Sequence, residues 1–459
     1  KDADGNEPVS DRTYKTVIYQ DNDLRKAAAM PTSTDVNLKT LEVAFNRTCQ
    51  LACSYCNPAF SSTWVKDIRN NGGYQGIKSD ARGHFIDDAP YAEPFDDLES
   101  NPYKDAFWRW WPELCKELEE IRVTGGEPLM TPDIYQLFDW FETTEEPNAK
   151  NMRLAINSNL MAKENLLNKL IESTQHINRF HLYTSCEAYG KQAEYIRDGL
   201  KWDIWTSQFE RICSEARIEG LHMMMTINAL CLDTITEFLD WVLEMKRKYG
   251  HNKPGISVNI LRFPSFQSPL TLPDNMRKLY HDELQAWLEN VRSKAEVDAE
   301  GRLLLADWEQ DQISRLIEYL DVVKTPHRNT ADRTLLEHDF KIFYEQYDAR
   351  RFMNFRETFP RLAEFYDGIK IMDIDQDEEV QAPKTFGVKD SLFAKRIVTE
   401  DGEVKVVEMK MRGRNTGESD EWYDNPLDPE SRAELMKKIG GSSIGWDTET
   451  DGLGGAQDE

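Results

Sequence analysis

The sequence predicts an α/β fold, built as a partial (β/α)6 barrel that is followed by a helical C-terminal region. Two observations carry this prediction. Six strand-like apolar runs alternate with amphipathic helical patterns up to Pro264, and only helical patterns follow that residue. Strands separated by helices of this length form right-handed βαβ units and a parallel sheet. Because a closed barrel of this kind needs eight strands, six strands indicate an open, partial barrel.

The expected elements follow in order along the chain. Strands are expected near 41–45, in a short run that ends at Thr124, and near 152–158, 180–186, 221–228 and 256–262. Helices of the barrel are expected near 106–120, 132–143, 163–174, 202–218 and 233–249, and later helices near 273–293, 304–323, 331–350 and 355–366. Residues 65–105 are rich in Gly, Asp, Asn and Pro, which predicts a long insertion with little regular structure.

These elements divide the chain into four regions. We expect a polar N-terminal extension, the partial barrel with its insertion, a helical region and an acidic tail, at 1–37, 38–265, 266–370 and 371–459. From Glu418 onward, twelve acidic residues face three basic ones. Segments of such composition bury little apolar surface, so the tail is expected to be poorly ordered.

Composition excludes several classes of protein. The formal net charge is −26 and no block of Lys and Arg is present, which argues against a nucleic-acid partner. No run approaches the roughly 20 apolar residues that cross a bilayer, so no membrane partner is expected. The acidity is explained by solubility or a salty habitat, with a specific basic partner as the alternative.

The cysteines are unevenly distributed. Four of the seven are isolated, whereas Cys49, Cys53 and Cys56 lie within eight residues, directly after the first predicted strand. Thiolates are the ligands that iron–sulfur clusters select, and three of them leave one iron of a four-iron cluster without a protein ligand. A zinc site is the alternative, although such sites pair two Cys/His groups and no second group exists here. Cysteines without a metal are the remaining alternative.

The segment Cys49-Gln-Leu-Ala-Cys53-Ser-Tyr-Cys56 resembles the signature of the radical S-adenosylmethionine (SAM) superfamily, including the aromatic Tyr55 before the last cysteine. Thr124-Gly-Gly-Glu-Pro128 is similar to the family's GGE motif at the end of the second strand. The resemblance implies a [4Fe–4S] cluster on the three cysteines and SAM as a second cofactor. It also implies that Gly125, Gly126 and Glu127 receive the amino group of SAM.

Further positions resemble the family's cofactor contacts. Ser185 and Glu187, after the fourth strand, resemble residues that contact the ribose of SAM, and Arg197 resembles the arginine that holds its carboxylate. A surface arginine on a helix is the alternative for Arg197. Polar residues also end other strands, where sites of α/β folds lie, with capping or turn roles as the alternative; the cofactor candidates among them are Asn157, Asn228 and Asn259.

Two other residues carry weaker hypotheses. Cys186 could donate a hydrogen atom to a substrate radical, but strand parity turns it away from Ser185, which favours a buried core cysteine. His222 and Met224 are expected to face the barrel interior with Thr226, and a satisfied interior histidine is the default interpretation.

Segments near Ser61 and Arg351 look like those of twitch-domain radical SAM proteins, whose relatives often hold a second cluster. This chain has no cysteine after Cys231, so an auxiliary cluster is not expected. The resemblance implies hydrogen abstraction from an unidentified substrate, with a small molecule slightly favoured over a peptide. It also implies a flavodoxin or ferredoxin as electron donor. The cluster needs reducing conditions, which predicts a cytoplasmic location. A non-catalytic iron–sulfur protein for electron transfer or sensing is the alternative.

Overall fold

A computed structural model describes residues 37–85, 101–321 and 333–372, five residues between 25 and 31, and the backbone of two strands beyond residue 390. The chain forms two compact units, Lys1–Ile374 and Asp375–Glu459. The predicted polar extension lies almost entirely outside the described residues. None of the described helices is long and apolar enough to cross a membrane.

The first unit is built on a parallel sheet. The described residues of this unit form eight strands. In chain order they are β1 Thr40–Ala44, β2 Ala52–Cys53, β3 Glu120–Thr124, β4 Arg153–Ser158, β5 Arg179–Ser185, β6 Arg197–Asp198, β7 Gly220–Ile227 and β8 Gly255–Ile260. Six of them form one sheet of order β1-β3-β4-β5-β7-β8 in which every neighbouring pair is parallel. The other two, β2 and β6, pair antiparallel with each other. The predicted fold class is confirmed, and each predicted strand lies within two residues of its place.

Helices connect successive strands of the sheet and then continue alone. In the barrel they are α1 Ser62–Asn71, α2 Pro102–Leu114, α3 Pro132–Thr143, α4 Glu164–Thr174, α5 Gly190–Ile196, α6 Trp202–Glu215 and α7 Ile235–Tyr249. After the sheet they are α8 Asp274–Lys294, α9 Asp307–Asp321, α10 Arg333–Arg351, α11 Phe355–Thr358 and α12 Ala363–Gly368. The four helical patterns predicted after Pro264 are therefore found, the last of them as two short helices.

Burial alternates along β3, β5 and most of β7. In β5, Phe180 and Leu182 are fully buried, while His181 and Tyr183 between them are half-buried. Burying such an apolar side chain stabilises the fold by about 1.5–3 kcal/mol, so this alternation fixes which face of the strand meets the helices. We call the opposite face, which carries the half-buried polar residues, the inner face. His222 of β7 lies on it beside Tyr183.

The prediction of an irregular insertion at 65–105 is wrong in its first part. The hydroxyl of Ser61 accepts hydrogen bonds from the first backbone N–H groups of α1, and the helix then buries Trp64. The loop after α1 also contributes to the core, where Phe85 is fully buried. Only one face of α1 is apolar, and the core residues after it are widely spaced. The composition of the segment therefore suggested little regular structure. Residues 86–100 lie outside the described part.

The edge of the sheet at β8 is covered by α9. Glu309 and Gln312 accept hydrogen bonds from the backbone N–H groups of Ile256 and Val258, at 2.8 and 2.7 Å. Glu309 also forms a fully buried ion pair with Lys246 of α7 at 2.9 Å. α9 thus satisfies outward backbone groups of β8, and among the described residues the sheet ends at this sixth strand.

In the second unit, the described residues form a strand pair. Leu392–Val398 (β9) and Val404–Lys410 (β10) are antiparallel, with Val404 opposite Val398. These strands lie in the acidic tail, for which no strand was predicted. The rest of the region predicted to be poorly ordered, from 373 onward, lies outside the described residues.

Candidate functional site

The three clustered cysteines lie in the loop between β1 and α1, at the carboxyl end of the sheet. Side chains from the start of α1 hold this loop: Thr63 donates a hydrogen bond to the carbonyl of Cys49 at 2.6 Å, and the Trp64 indole donates to the carbonyl of Cys53 at 3.0 Å. The backbone N–H of Cys56 donates to the carbonyl of Cys53 at 2.9 Å. A backbone group of each of the three cysteines is therefore hydrogen-bonded.

Distant parts of the chain also hold the cysteine loop. Within it, β2 pairs with β6, which places Cys53 opposite Arg197. Tyr347 of α10 donates to the carbonyl of Ala52 at 3.1 Å, and Gln267 donates to that of Ser54 at 2.9 Å. The helical C-terminal region therefore helps to shape the loop. The sequence carried no signal for these contacts, because they join residues more than 200 positions apart.

Burial keeps the cysteine thiols protonated when no metal is bound. It raises the pKa of Cys49 to about 12, with the neighbouring Cys53 adding to the effect. Burial also raises the pKa of Cys53, while the Arg197 guanidinium opposes that shift. Thiols of this kind carry no charge by themselves at neutral pH. A metal that binds them must displace their protons and supply the balancing charge, as iron does in a cluster.

The donor set suits a cluster rather than a single ion. Within residues 37–85, 101–321 and 333–372, no three His, Cys, Asp or Glu side chains converge as ligands of one metal ion. A four-iron cluster makes a different demand, because each thiolate binds a separate iron atom. Three thiols in one anchored loop meet that demand.

The two glycines of the GGE segment pack directly on the cysteine loop. Gly125 has a φ of 119°, and a Cβ there would lie 2.6 Å from the carbonyl oxygen of Asn46. A Cβ on Gly126 would lie 2.4 Å from the carbonyl oxygen of Thr48, which precedes Cys49. Only glycine permits this approach. The backbone N–H of Glu127 then donates to the same Thr48 carbonyl at 2.7 Å, which locks the two segments together.

The Glu127 side chain is fully buried and already occupied. It accepts hydrogen bonds from the backbone N–H groups of Leu129 and Asn159, at 3.1 and 2.7 Å, and from the Ser158 hydroxyl at 2.8 Å. Burial raises its pKa to about 7, although these three hydrogen bonds oppose the rise. The carboxylate therefore ties the GGE segment to the end of β4. The predicted contact between its side chain and SAM stays a prediction.

Tyr55, Glu187 and Arg197 meet in one buried cluster. Arg197 is 4% exposed and pairs with Glu187, with Nη2 and Oε2 2.5 Å apart, so the alternative of a surface helix arginine is wrong. The Tyr55 hydroxyl donates to Glu187 at 3.2 Å, and Nη1 of Arg197 lies 3.8 Å from the sulfur of Cys53. Burial disfavours the charge on Arg197, but Glu187, Tyr55 and Cys53 outweigh it and raise the pKa of Arg197.

The remaining predicted residues fall into different surroundings. Asn228 is a capping residue, since its side-chain oxygen accepts from the backbone N–H groups of Leu230 and Cys231. Asn157 is half-buried on the inner face, and its side-chain oxygen has no hydrogen-bond partner among the described residues. Ser185 is half-buried at the end of β5, and Asn259 of β8 is exposed.

Asn159, one of the polar residues at a strand end that the sequence offers as site candidates, reaches the cysteines. Its amide nitrogen lies 3.6 Å from the sulfur of Cys49, and its oxygen accepts from Gln50 at 3.0 Å. Its position at a strand end was the available signal. Cys186 is fully buried and its thiol donates to the carbonyl of Ala188, in agreement with a core cysteine.

No protein-family profile matches the chain, and no curated protein matches it significantly. Among solved structures, it is similar to Streptococcus suis SuiB bound to S-adenosylmethionine, with 13% identity and a TM-score of 0.35, over 62% of this chain and 55% of that one. It matches SuiB bound to the precursor peptide SuiA with 13% identity and a TM-score of 0.35, over 62% and 60%. It matches native anSMEcpe with bound AdoMet and Cp18Cys peptide with 12% identity and a TM-score of 0.31, over 72% and 100%. The chain thus spans little more than half the length of SuiB, and likenesses at this level assign no activity.

Proposed function

We propose that this protein is a radical SAM enzyme that holds a [4Fe–4S] cluster on Cys49, Cys53 and Cys56 and abstracts hydrogen from its substrate. One observation carries the proposal: the three-cysteine loop lies at the carboxyl end of a six-stranded parallel sheet, and the Gly125–Gly126 turn packs against the backbone of that loop. In α/β folds this end of the sheet carries the site.

The proposed cofactors would supply the radical chemistry, namely reductive cleavage of SAM with abstraction of a hydrogen atom from the substrate to give 5′-deoxyadenosine. The chain supplies binding and orientation. Cys49, Cys53 and Cys56 would each hold one iron. Arg197 places a guanidinium 3.8 Å from the Cys53 sulfur, where it offsets the negative charge of a bound thiolate.

Glu187 has a positioning role in this proposal. It binds Arg197 and accepts the hydrogen bond of Tyr55, so it fixes both side chains beside the cysteine loop. The GGE segment would offer its peptide carbonyls to the amino group of SAM. The Glu127 side chain stabilises that turn through its hydrogen bonds with Ser158 and Asn159. Contacts of Ser185, Asn157, Asn228, Asn259 and Arg197 with SAM stay predictions within this proposal.

The substrate would bind along the inner face of the sheet, next to the cluster loop. The proposal admits both a small molecule and a peptide, with a flavodoxin or ferredoxin as electron donor. Half-buried polar groups on that face, such as Asn157 and Tyr183, are suited to contact a substrate directly.

The test is cleavage of SAM. The protein is reconstituted with iron and sulfide without oxygen, then given SAM and dithionite, and 5′-deoxyadenosine is quantified. We expect about four irons per chain and cluster-dependent 5′-deoxyadenosine, both lost when Cys49, Cys53 and Cys56 are changed to Ala. Cys213→Ala is the matched control, because Cys213 is also a free, buried cysteine but belongs to α6 and not to the cysteine loop. An intact four-iron cluster that yields no 5′-deoxyadenosine would favour electron transfer instead.

A further inference from the structure

Phe352 directly follows α10 and has the most exposed large apolar side chain among the described residues. It is 97% exposed, and its backbone φ is 54°. This left-handed conformation is disfavoured in residues that carry a Cβ, least so in asparagine and aspartate. The position directly after a helix often holds glycine for that reason. Phe352 therefore combines a disfavoured backbone conformation with an apolar ring in water.

The fold needs the turn at Phe352 but not its phenyl ring. The backbone N–H of Met353 donates to the carbonyl of Asp348 at 3.1 Å, which is the hydrogen bond that closes a helix through one left-handed residue. A carboxylate oxygen of Asp348 accepts from the backbone N–H of Phe355 at 2.7 Å. Glycine or asparagine at position 352 would allow both hydrogen bonds. The fold therefore gains no packing from this ring, although a bulky residue is disfavoured here.

A short series of contacts leads from Phe352 to the cysteine loop. The neighbouring Arg351 donates from Nε to Asp198 at 2.9 Å. Asp198 follows Arg197 in β6, and Nη1 of Arg197 lies 3.8 Å from the sulfur of Cys53. β6 pairs with the strand inside the cysteine loop, so the two lie one strand spacing, about 4.8 Å, apart. The surface beside Arg351 is therefore close to a proposed iron ligand.

Aromatic rings lie beneath this surface. The Arg351 guanidinium lies 3.9 Å from the ring centre of Tyr347 and 4.9 Å from that of Trp64. Tyr347 and Trp64 in turn donate hydrogen bonds to backbone carbonyls of the cysteine loop. The side chain of Arg351 is 6% exposed, so its charge is turned inward. The contact that Phe352 offers to a partner is therefore apolar and rests on the elements that hold the cysteines.

The size of this contact fits a transient partner. An aromatic side chain buries about 150–250 Å², whereas a stable interface buries about 1,200–2,000 Å² in total. Asn354, two residues after Phe352, is exposed and polar, so the apolar area does not extend along the chain. Electron-transfer encounters have the smallest interfaces. Their size favours an electron donor over a second copy of this chain.

We infer that Phe352 is the docking contact for an electron-donor protein, and that this donor is a flavodoxin. The flavin of such a protein is a flat aromatic ring with an apolar edge, and a phenyl ring packs well against it. One electron leaves the fully reduced, anionic flavin and enters the oxidised cluster, while no bond breaks and no proton moves. This inference rests on the proposed function and specifies the donor and the surface that binds it.

The first experiment measures binding without turnover. Oxidised flavodoxin is titrated into the reconstituted full chain by isothermal titration calorimetry. Phe352→Asn is the test variant, because asparagine accepts the left-handed conformation and leaves the turn intact. We expect the Kd for flavodoxin to rise by about tenfold, as for the loss of an aromatic residue at the centre of an interface. Ile204→Ala is the matched control, since Ile204 is an exposed apolar residue of α6, and it should keep the wild-type Kd.

The second experiment measures reduction of the cluster by stopped-flow absorbance. At a flavodoxin concentration below the Kd, reduced flavodoxin should reduce Phe352→Asn about tenfold more slowly than the wild type, in line with the weaker binding. Dithionite, a small reductant that needs no docking surface, should reduce both proteins at the same rate. An equal slowing with dithionite would place the defect in the cluster site and would overturn the docking role.

Other results would also overturn the inference. These are an unchanged Kd and reduction rate with flavodoxin in Phe352→Asn, a wild-type protein that does not bind flavodoxin, and a contact of Phe352 with a ferredoxin or a second copy of the chain instead. The proposed function fails separately. A wild-type protein that binds flavodoxin through Phe352 and accepts its electron, yet forms no 5′-deoxyadenosine, would contradict the SAM chemistry and support the docking role.

Discussion

Two buried ion pairs in this protein have nearly the same burial and serve different ends. The side chains of Arg197 and Glu187 are 5% and 1% exposed, and they lie beside the cysteine loop. Lys246 and Glu309 are 0% and 1% exposed and lie at the edge of the sheet. Taking two charges out of water costs several kcal/mol for each ion, so both pairs need good geometry and further hydrogen bonds to persist.

The partners of the two pairs differ. Lys246 and Glu309 use their remaining hydrogen-bonding capacity on backbone groups, those of His251, Ile256 and Ala306. The other pair has a single backbone partner among the described residues, the N–H of Thr226 at 3.4 Å, and also contacts two side chains capable of chemistry, the Tyr55 hydroxyl and the Cys53 thiol. A buried ion pair therefore does not by itself mark a site. The groups that share its charge decide whether it supports structure or chemistry.

The largest effect is expected for Arg197→Met. It leaves Glu187 charged and buried beside Cys53, and breaking a buried pair destabilises a fold by about 3–5 kcal/mol. Loss of a residue that supports a metal ligand also lowers metal affinity or activity by roughly 10- to 100-fold. We expect both losses, measured by urea unfolding and by iron content with 5′-deoxyadenosine yield. If Arg197→Met keeps the wild-type iron content and 5′-deoxyadenosine yield, the Arg197–Glu187 pair has only a structural role, as the Lys246–Glu309 pair has.

Lys246→Met is expected to show only the first of these losses. Glu309 is left charged in a fully buried position, so stability should fall by about 3–5 kcal/mol, while iron content per folded chain stays at the wild-type value. Adding Glu309→Gln should recover part of the stability, because the unpaired charge is then gone. A Lys246→Met protein that folds normally but binds no cluster would contradict the structural role of this pair.

Glu127→Gln should alter the pH dependence of stability. The pKa of Glu127 is raised by burial from its ordinary 4.5 to about 7, so the folded state binds the proton more tightly than the unfolded state. The stability that the protonated group contributes is therefore lost as the pH rises from about 4.5 through about 7. Urea unfolding of the cluster-free chain at pH 5 and pH 7.5 measures this. The free energy of unfolding should decrease less between these two pH values in Glu127→Gln than in the wild-type chain. An equal decrease in both proteins would show that Glu127 does not cause this pH dependence.

Tyr347→Phe is expected to have the smallest effect. It removes one hydrogen-bond donor to the carbonyls of Ala52 and Tyr195 while keeping the ring in the aromatic core. A loss of about 1 kcal/mol is expected, as for a typical buried hydrogen bond. The measurement is urea unfolding, together with the rate of cluster loss in air. Since Tyr347 holds the loop next to Cys53, faster loss is expected than in Tyr280→Phe, a buried tyrosine that contacts Asp233 instead.

The sequence predicted the sheet well because its strands form separate apolar runs, and β3, β5 and β7 also alternate between buried and half-buried residues. It failed for α1 and Phe85, since a single apolar face within a Gly-rich and Asp-rich stretch leaves a weak pattern. The two-residue strands β2 and β6 are too short to produce any periodic signal.

The site was predicted in its components but not in its connections. The spacing of Cys49, Cys53 and Cys56 is visible in the sequence, whereas the anchoring of their loop by Tyr347 depends on a contact across 295 positions. Glu187 and Arg197 were both identified, but their ion pair depends on β6 turning back along β2. His222 was expected as a satisfied histidine of the inner face, but its hydrogen bond to His181 could not be predicted, because it depends on the pairing of β5 with β7.

The most direct test of the radical SAM assignment is electron paramagnetic resonance of the reduced, reconstituted protein with and without SAM. Three cysteine ligands leave one iron free for SAM, so we predict a four-iron signal that changes on SAM addition and is absent from the variant with Cys49, Cys53 and Cys56 changed to Ala. A four-iron signal that SAM leaves unchanged would contradict the assignment, because it would mean that the protein itself completes the ligation of the cluster.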